Sequence, residues 1–203
     1  VTPLWIACQN GHERVVQLLL DHAATDVNQA RTDAGITPLW IACQNGHKGV
    51  VRLLLDHPTT DVNQARKDFG VSPLFIACEL GREGVVRLLL DNPTTNVNQA
   101  REDFGFTPLF IACQNGHEEV VRLLLVHAAI DVNLATTDDG TTPLFIACQE
   151  GHEGLVRLLL DHAATKVNQA TTDNGFTPLY TACHYGHEGV VRLLLDHATT
   201  DVN

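Results

Sequence analysis

Methionine is absent from all 203 residues, and the chain opens on Val1. No leader or targeting segment is legible, and the expectation is an array excised from something longer. Long apolar runs are missing as well. The longest are of the kind Val15-Val16 and Leu18-Leu19-Leu20, far short of the ~20 residues that cross a bilayer, so no membrane partner is expected. Basic residues are scarce: 13 Lys and Arg stand against 24 Asp and Glu, a formal net charge of -11. Such a surface repels phosphate, which argues against nucleic acid. Linkers and low-complexity stretches are also lacking. What is present is a globular composition, 44% apolar and 18% charged.

Six cysteines suggest a disulfide framework until their spacing is read. Cys8, Cys43, Cys78, Cys113, Cys148 and Cys183 each stand 35 residues from the next. Each fills one slot of an internal repeat, and repeats are sought first because they decide the fold. Stacked helical repeats lie ~10 Å apart, whereas bridged Cα atoms must approach within ~7 Å. Disulfides in register are therefore excluded. Buried free thiols fit a reducing compartment, and a cytoplasmic location is expected.

The chain aligns on itself without gaps as 1–35, 36–70, 71–105, 106–140 and 141–175, with a truncated sixth copy at 176–203. Thr37-Pro38 reads as a helix start: the hydroxyl caps free N–H groups and Pro suits the first helical position. Leu39, Ala42 and Cys43 fall on one face. Gly46 stops this short helix. A second helix begins near His47, and Val50, Val51, Leu53, Leu54 and Leu55 make most of its circumference apolar. Asp61-Val62-Asn63 leaves it as an extended arm, and Asp68-x-Gly70 turns the chain back. Neither helix reaches the ~12–15 residues needed for marginal stability alone, so the units must stack. The reading is a single domain over 1–203, an all-α repeat solenoid.

The string T-P-L-x-x-A-x-x-x-G-H-x-x-V-V-x-L-L-L, followed by D-V-N-x-A and D-x-G, resembles the ankyrin repeat, and the resemblance covers the whole chain six times over. It implies stacked helix-turn-helix units joined by β-hairpin fingers, a concave surface, protein partners and no catalytic machinery. Three departures stand out. The period is 35 where the family's is ~33. One extra residue lies before Asp-Val-Asn, so the second helix loses its usual Gly cap, and Pro58 and Pro93 are expected to help stop it in two repeats. The other extra residue lengthens the finger. The His that usually follows Thr-Pro-Leu is here Trp5, Trp40, Phe75, Phe110, Phe145 and Tyr180. Regular spacing favours packing over a binding stripe for this ladder.

Cys8 and His12 stand four apart, and the pair recurs. A metal site of this kind fails because Gly11 interrupts the helix between them. The histidines are expected to bond backbone in the turn. A catalytic cysteine needs a base gathered at one unusual place, and here every thiol sits in the same apolar slot. No cofactor, metal or catalytic residue is expected. The resemblance also implies that Asn28, Asn63, Asn133 and Asn203 could accept hydroxylation, although holding the finger's turn accounts for them.

Differences between copies carry the functional signal. At the positions matching the family's concave face, apolar residues concentrate mid-array: Phe69, Val71, Leu80, Phe104 and Phe106, flanked by Arg66 and Arg101, with Phe176 and Tyr185 further on. Aromatics and Arg dominate interface hot spots. The expected function is a scaffold binding one or more proteins through fingers and first helices. The alternative is a passive spacer or spring within a longer repeat protein. Neither end shows polar substitution of its leucines, so end-to-end self-association is also expected.

Overall fold

A computed structural model describes residues 1–202. Among them twelve helices run in pairs: α1 (Pro3–Gln9) with α2 (Glu13–Leu20), α3 (Pro38–Asn45) with α4 (Lys48–Asp56), α5 (Pro73–Glu79) with α6 (Glu83–Leu90), α7 (Pro108–Gln114) with α8 (Glu118–Leu125), α9 (Pro143–Gln149) with α10 (Glu153–Asp161), and α11 (Pro178–Tyr185) with α12 (Glu188–Asp196). The pairs form two compact units, Val1–Asp103 and Phe104–Asn203. No helix is long and apolar enough to cross a membrane among the described residues.

Each odd-numbered helix begins where the sequence places its cap. The Thr or Ser hydroxyl accepts the N–H three residues on at 3.0–3.2 Å, from Trp5 through Tyr180, and Pro occupies the first helical position. Gly46 ends α3 in the left-handed region, at φ 74°. A Cβ at the equivalent Gly151 would lie 2.6 Å from the His187 ring. Glycine is thus required twice, for its backbone angle and for the side chain that crosses it.

The second helices end differently from the expectation. α4 and α6 precede Pro58 and Pro93, yet α10 and α12, which no proline follows so closely, span nine residues just as α4 does. A backbone bond three residues on closes each of them, as from His22 to Leu19, His57 to Leu54, Asn92 to Leu89, His127 to Leu124 and His162 to Leu159. Thr25, Thr95 and Thr165 each add a hydroxyl bond to the carbonyl six residues back, on Leu19, Leu89 and Leu159, at 2.6 Å. Thr60 makes the same bond to Leu54. The fourth repeat has Ile130 in this slot, so the hydroxyl reinforces the helix end and does not set it.

No strand forms among the described residues, so the expected β-hairpin fingers are replaced by tight loops. A backbone bond closes the loop across six residues: Arg31 N–H to the Ile36 carbonyl, Arg66 to Val71, Thr136 to Thr141, Thr171 to Phe176, at 2.9–3.0 Å, and in the first two loops the Gly35 and Gly70 N–H add bonds to the Arg31 and Arg66 carbonyls at 3.0 and 3.1 Å. Successive loops then join edge to edge. Lys67 N–H donates to Ala34 and Glu102 to Phe69 in the first unit; Thr137 donates to Phe104 and Thr172 to Asp139 in the second. The glycine and the turn preceding it use up the added residues, leaving too few for ladder pairing.

Within the first unit α1, α3 and α5 lie side by side, with α2, α4 and α6 in a second layer; α7, α9, α11 and α8, α10, α12 repeat this in the second unit. The core between layers is Leu4, Cys8, Leu39, Cys43, Leu54, Leu74 and Leu89, then Leu109, Cys113, Leu124, Leu144 and Leu159. Small Ala42, Ala77, Ala112 and Ala147 are fully buried where paired helices approach. The aromatic ladder is packing at five of its six rungs: Trp5, Trp40, Phe75, Phe110 and Phe145 are buried, and Tyr180 is not. Trp5 and Trp40 donate their indole N–H to the Ile36 and Val71 carbonyls of the following repeat, at 3.1 and 2.9 Å.

Candidate partner-binding surface

In the first unit the finger loops are held from beneath by arginine. Arg31, Arg66 and Arg101 pair with Asp33, Asp68 and Asp103 two residues on. Their guanidinium carbons sit 5.0 Å over Trp5, 5.1 Å over Trp40 and 5.7 Å over Phe75. Arg101 also lies 5.5 Å from the Phe69 ring. A hydrogen bond from Arg31 holds the Asp33 carboxyl below its usual range. Arg66 and Arg101, expected to flank the apolar patch, are half-buried stays that fix each loop on the first helices, with cation–π attraction of about 0.5–1 kcal/mol.

What these stays hold up is apolar. Phe69, at a loop tip, is 50% exposed, and Leu80, at the end of α5, is 41% exposed. Val71 is a correction: it is 8% exposed, and its carbonyl receives both the Arg66 N–H and the Trp40 indole.

The second unit replaces arginine with threonine. Thr136 donates to Asp139 at 2.6 Å and accepts from Thr141 N–H at 2.9 Å, a neutral version of the same closure. Burial works against the Asp139 carboxylate, but its bonds with Thr136 and Thr141 hold its pKa below the usual value. The exposed rings form two runs. Phe104 is exposed and lies 5.6 Å from half-buried Phe106, which stacks on Phe110 at 4.6 Å. In the sixth repeat Phe176 stacks on Tyr180 at 4.1 Å, and the run continues through His184 and Tyr185 to His187. The sequence reading offered Phe176 and Tyr185 and missed Tyr180; its signal was that no following repeat within the chain covers it.

Two polar ladders tie repeat to repeat. The His47 Nε2–H donates to the Gln9 carbonyl at 2.9 Å, and His152 and His187 do the same to Gln114 and Gln149 at 3.2 and 2.8 Å. Arg82, where the third repeat lacks the histidine, keeps the bond through Nε to Gln44 at 3.2 Å. These partners lie in the preceding repeat, not in the residue's own turn. The asparagines likewise reach across. Asn63 donates to the Thr94 carbonyl at 2.7 Å and accepts the Asn96 N–H at 2.8 Å. Asn28, Asn133 and Asn168 clamp the next loop in the same way.

This arrangement can be set beside known proteins. A family model described as ankyrin repeats matches residues 1–66, 59–136 and 130–203. The chain belongs to the ankyrin-repeat family. Among solved structures it is similar to EF0377, an ankyrin repeat protein, with 25% identity over 96% of this chain and 97% of that one and a TM-score of 0.86. It is also similar to the ankyrin repeat domain of Bcl-3, a member of the IkappaB family, with 27% identity over 98% of this chain and 86% of that one and a TM-score of 0.86. No curated protein matches by sequence. Ankyrin repeats generally mediate protein–protein interaction.

Five of the six thiols of these ankyrin repeats are buried, and Cys183 is exposed. Burial pushes the Cys8 thiol up to about 12 and raises those of Cys43, Cys113 and Cys148 further. A thiol that stays protonated is a poor nucleophile. No group of three or more His, Cys, Asp or Glu among the described residues could hold a metal. The cavities are open clefts. One of about 310 Å³ lies between Leu4, Leu19, Ala24 and Gln29, and one of about 440 Å³ between Leu179, Tyr180, Cys183 and Val202.

Proposed function

We propose that these 203 residues act as one ankyrin array in the cytoplasm, a scaffold that binds protein through its finger loops and first helices and performs no catalysis itself. The observation that carries this is the contrast where the loops of the second and third repeats meet. Every polar device in the loop is spent on rigidity, through the Arg101–Asp103 pair and the Glu102 N–H bond to Phe69. Phe69 and Leu80 nevertheless stay exposed. A pre-ordered apolar side chain gives up little entropy on binding, which is what a hot spot needs. A passive spacer would present a uniformly polar face, and Phe69, Phe104, Phe176 and Tyr185 are not that.

The acidic balance disfavours nucleic acid as the ligand. The reading is tested with a photo-crosslinking residue placed at 69, 80, 104 or 185, and at Arg52 on a second helix as control. Crosslinks to a defined protein from the first four positions and none from the control are expected. Equal yields from all five positions would overturn it.

A further inference from the structure

The arginines that stiffen the finger loops of the first unit have no counterparts in the second. Arg31, Arg66 and Arg101 each pair with the aspartate two residues on. The matching positions of the second unit hold Thr136 with Asp138 and Thr171 with Asp173. Each threonine hydroxyl turns back on its own loop and accepts the N–H of Thr141 or Phe176. The aspartates are kept and the cation is gone. Asp138 and Asp173 are both exposed.

This loss of positive charge covers the whole finger side of the second unit. No Lys or Arg stands in 104–117, 134–152 or 169–187, the stretches that build its fingers and first helices. Four carboxylates do: Asp138, Asp139, Glu150 and Asp173. Asp139, Glu150 and Asp173 bond neighbouring hydroxyl and amide groups, and none of the four makes an ion pair among the described residues. The cations of this unit, Arg122, Arg157, Lys166 and Arg192, lie on the second helices or the loop after α10. Arg122 and Arg192 already pair there with Glu118, Glu119 and Glu188. Exposed rings share the finger side. Phe104 is 46% exposed, and its carbonyl accepts the Thr137 N–H at 2.9 Å. The Asp139 carbonyl accepts the Thr172 N–H at 2.7 Å, so ring and carboxylates stand on loops joined in one row. Tyr185, at the end of α11, occupies a slot that is exposed in all six repeats.

We propose that the finger face of the second unit binds an Arg- and Lys-bearing segment of the protein partner, whose side chains supply the cations that Arg31, Arg66 and Arg101 supply within the first unit. This rests on the scaffold reading and names the partner's chemistry. Carboxylates without a cation select an oppositely charged partner and speed its encounter. A guanidinium gains further from an exposed ring face such as that of Phe104. Its aliphatic stem covers apolar surface while the charged head reaches the carboxylate. In the first unit each finger aspartate is already neutralised, which leaves Phe69 and Leu80 to apolar contact.

Fluorescence anisotropy with a labelled peptide of about twelve residues, alternating arginine and leucine, tests this in about 0.15 M salt. The 203-residue chain should bind this peptide and not its counterpart with glutamate in place of arginine. Asp138→Asn with Asp173→Asn should weaken binding at least about tenfold. Asp161→Asn with Asp196→Asn removes the same charge from the second helices and should leave binding within about twofold. All four positions are exposed, and circular dichroism reports whether the fold is kept. Equal loss with both pairs would reduce the effect to net charge and overturn the proposal. So would equal binding of the two peptides, or no binding of the arginine peptide up to about 1 mM. The scaffold reading fails separately: it stands if a photo-crosslinker at 104 captures a neutral or acidic protein segment, which would sink the basic partner alone. It falls if crosslinking from 52 equals that from the finger positions.

Discussion

A histidine that stands at the start of a second helix does its work one repeat away. His47, His152 and His187 bond the last turn of the preceding first helix, and each ring crosses a left-handed glycine. Asn63 likewise holds both backbone groups of the next loop, so Asn63→Ala should cost about 1 kcal/mol in denaturant unfolding, the ordinary net worth of such bonds. The clamp also occupies both faces of the amide, which is why holding a turn was only half of its role. Cys8 gives a pH signature. Its folded pKa, about 12, lies above the ordinary 9.0, so burial of the neutral thiol stabilises the fold below pH 9. That contribution is lost as pH rises from 9 toward 12, because the unfolded chain ionises first. Stability should therefore fall across that window, and Cys8→Ala should flatten the fall. Cys183 is exposed and should react with thiol reagents in the native state, with the other five protected until unfolding.

At the scale of the element, the helix starts were legible because Thr-Pro chemistry is local, and every one is found where it was expected. The helix ends were legible only where glycine writes them. Gly46 announces a stop; the second helices close on a backbone bond such as His57 N–H to Leu54, which no residue type announces, and proline was expected to help in two of them. Thr165→Val should lower stability by up to about 1 kcal/mol by removing the hydroxyl's bond to the Leu159 carbonyl, which keeps the His162 N–H. Pro58→Ala should leave α4 unchanged in length and shift stability by under about 1 kcal/mol. Gly151 and Gly186 separate two effects at nearly identical backbone angles, φ 73° and 74°. Alanine at either meets left-handed strain of about 1 kcal/mol. Only at Gly151 does the new Cβ also strike a histidine ring, so G151A should be clearly the more destabilising in thermal melts. The hairpin finger was implied by the family resemblance, whereas here the loop closes on itself at the glycine, as in Arg31 N–H to Ile36 and Gly35 N–H to Arg31, and forms no strand among the described residues.

At the scale of the whole molecule, the repeat period and apolar faces made the family plain from sequence. The binding surface was less so. Residues that vary between copies are of two kinds, those freed for a partner and those changed to close a loop, and sequence does not distinguish them. Phe69 and Leu80 are exposed, Val71 is buried, and Arg66 and Arg101 lie against aromatic rings. Tyr180 belongs to the packing ladder by position and to the surface by its place in the last repeat.

The measurement that bears most directly on the scaffold reading is calorimetric titration of the partner captured at the finger positions against the chain and its variants. Phe69→Ala with Leu80→Ala should weaken binding at least about tenfold, as truncation of hot-spot residues does, while Arg52→Ala on the second-helix layer leaves it unchanged. Equal affinity for all three proteins, or a loss confined to the Arg52 variant, would contradict a partner held by the fingers and first helices.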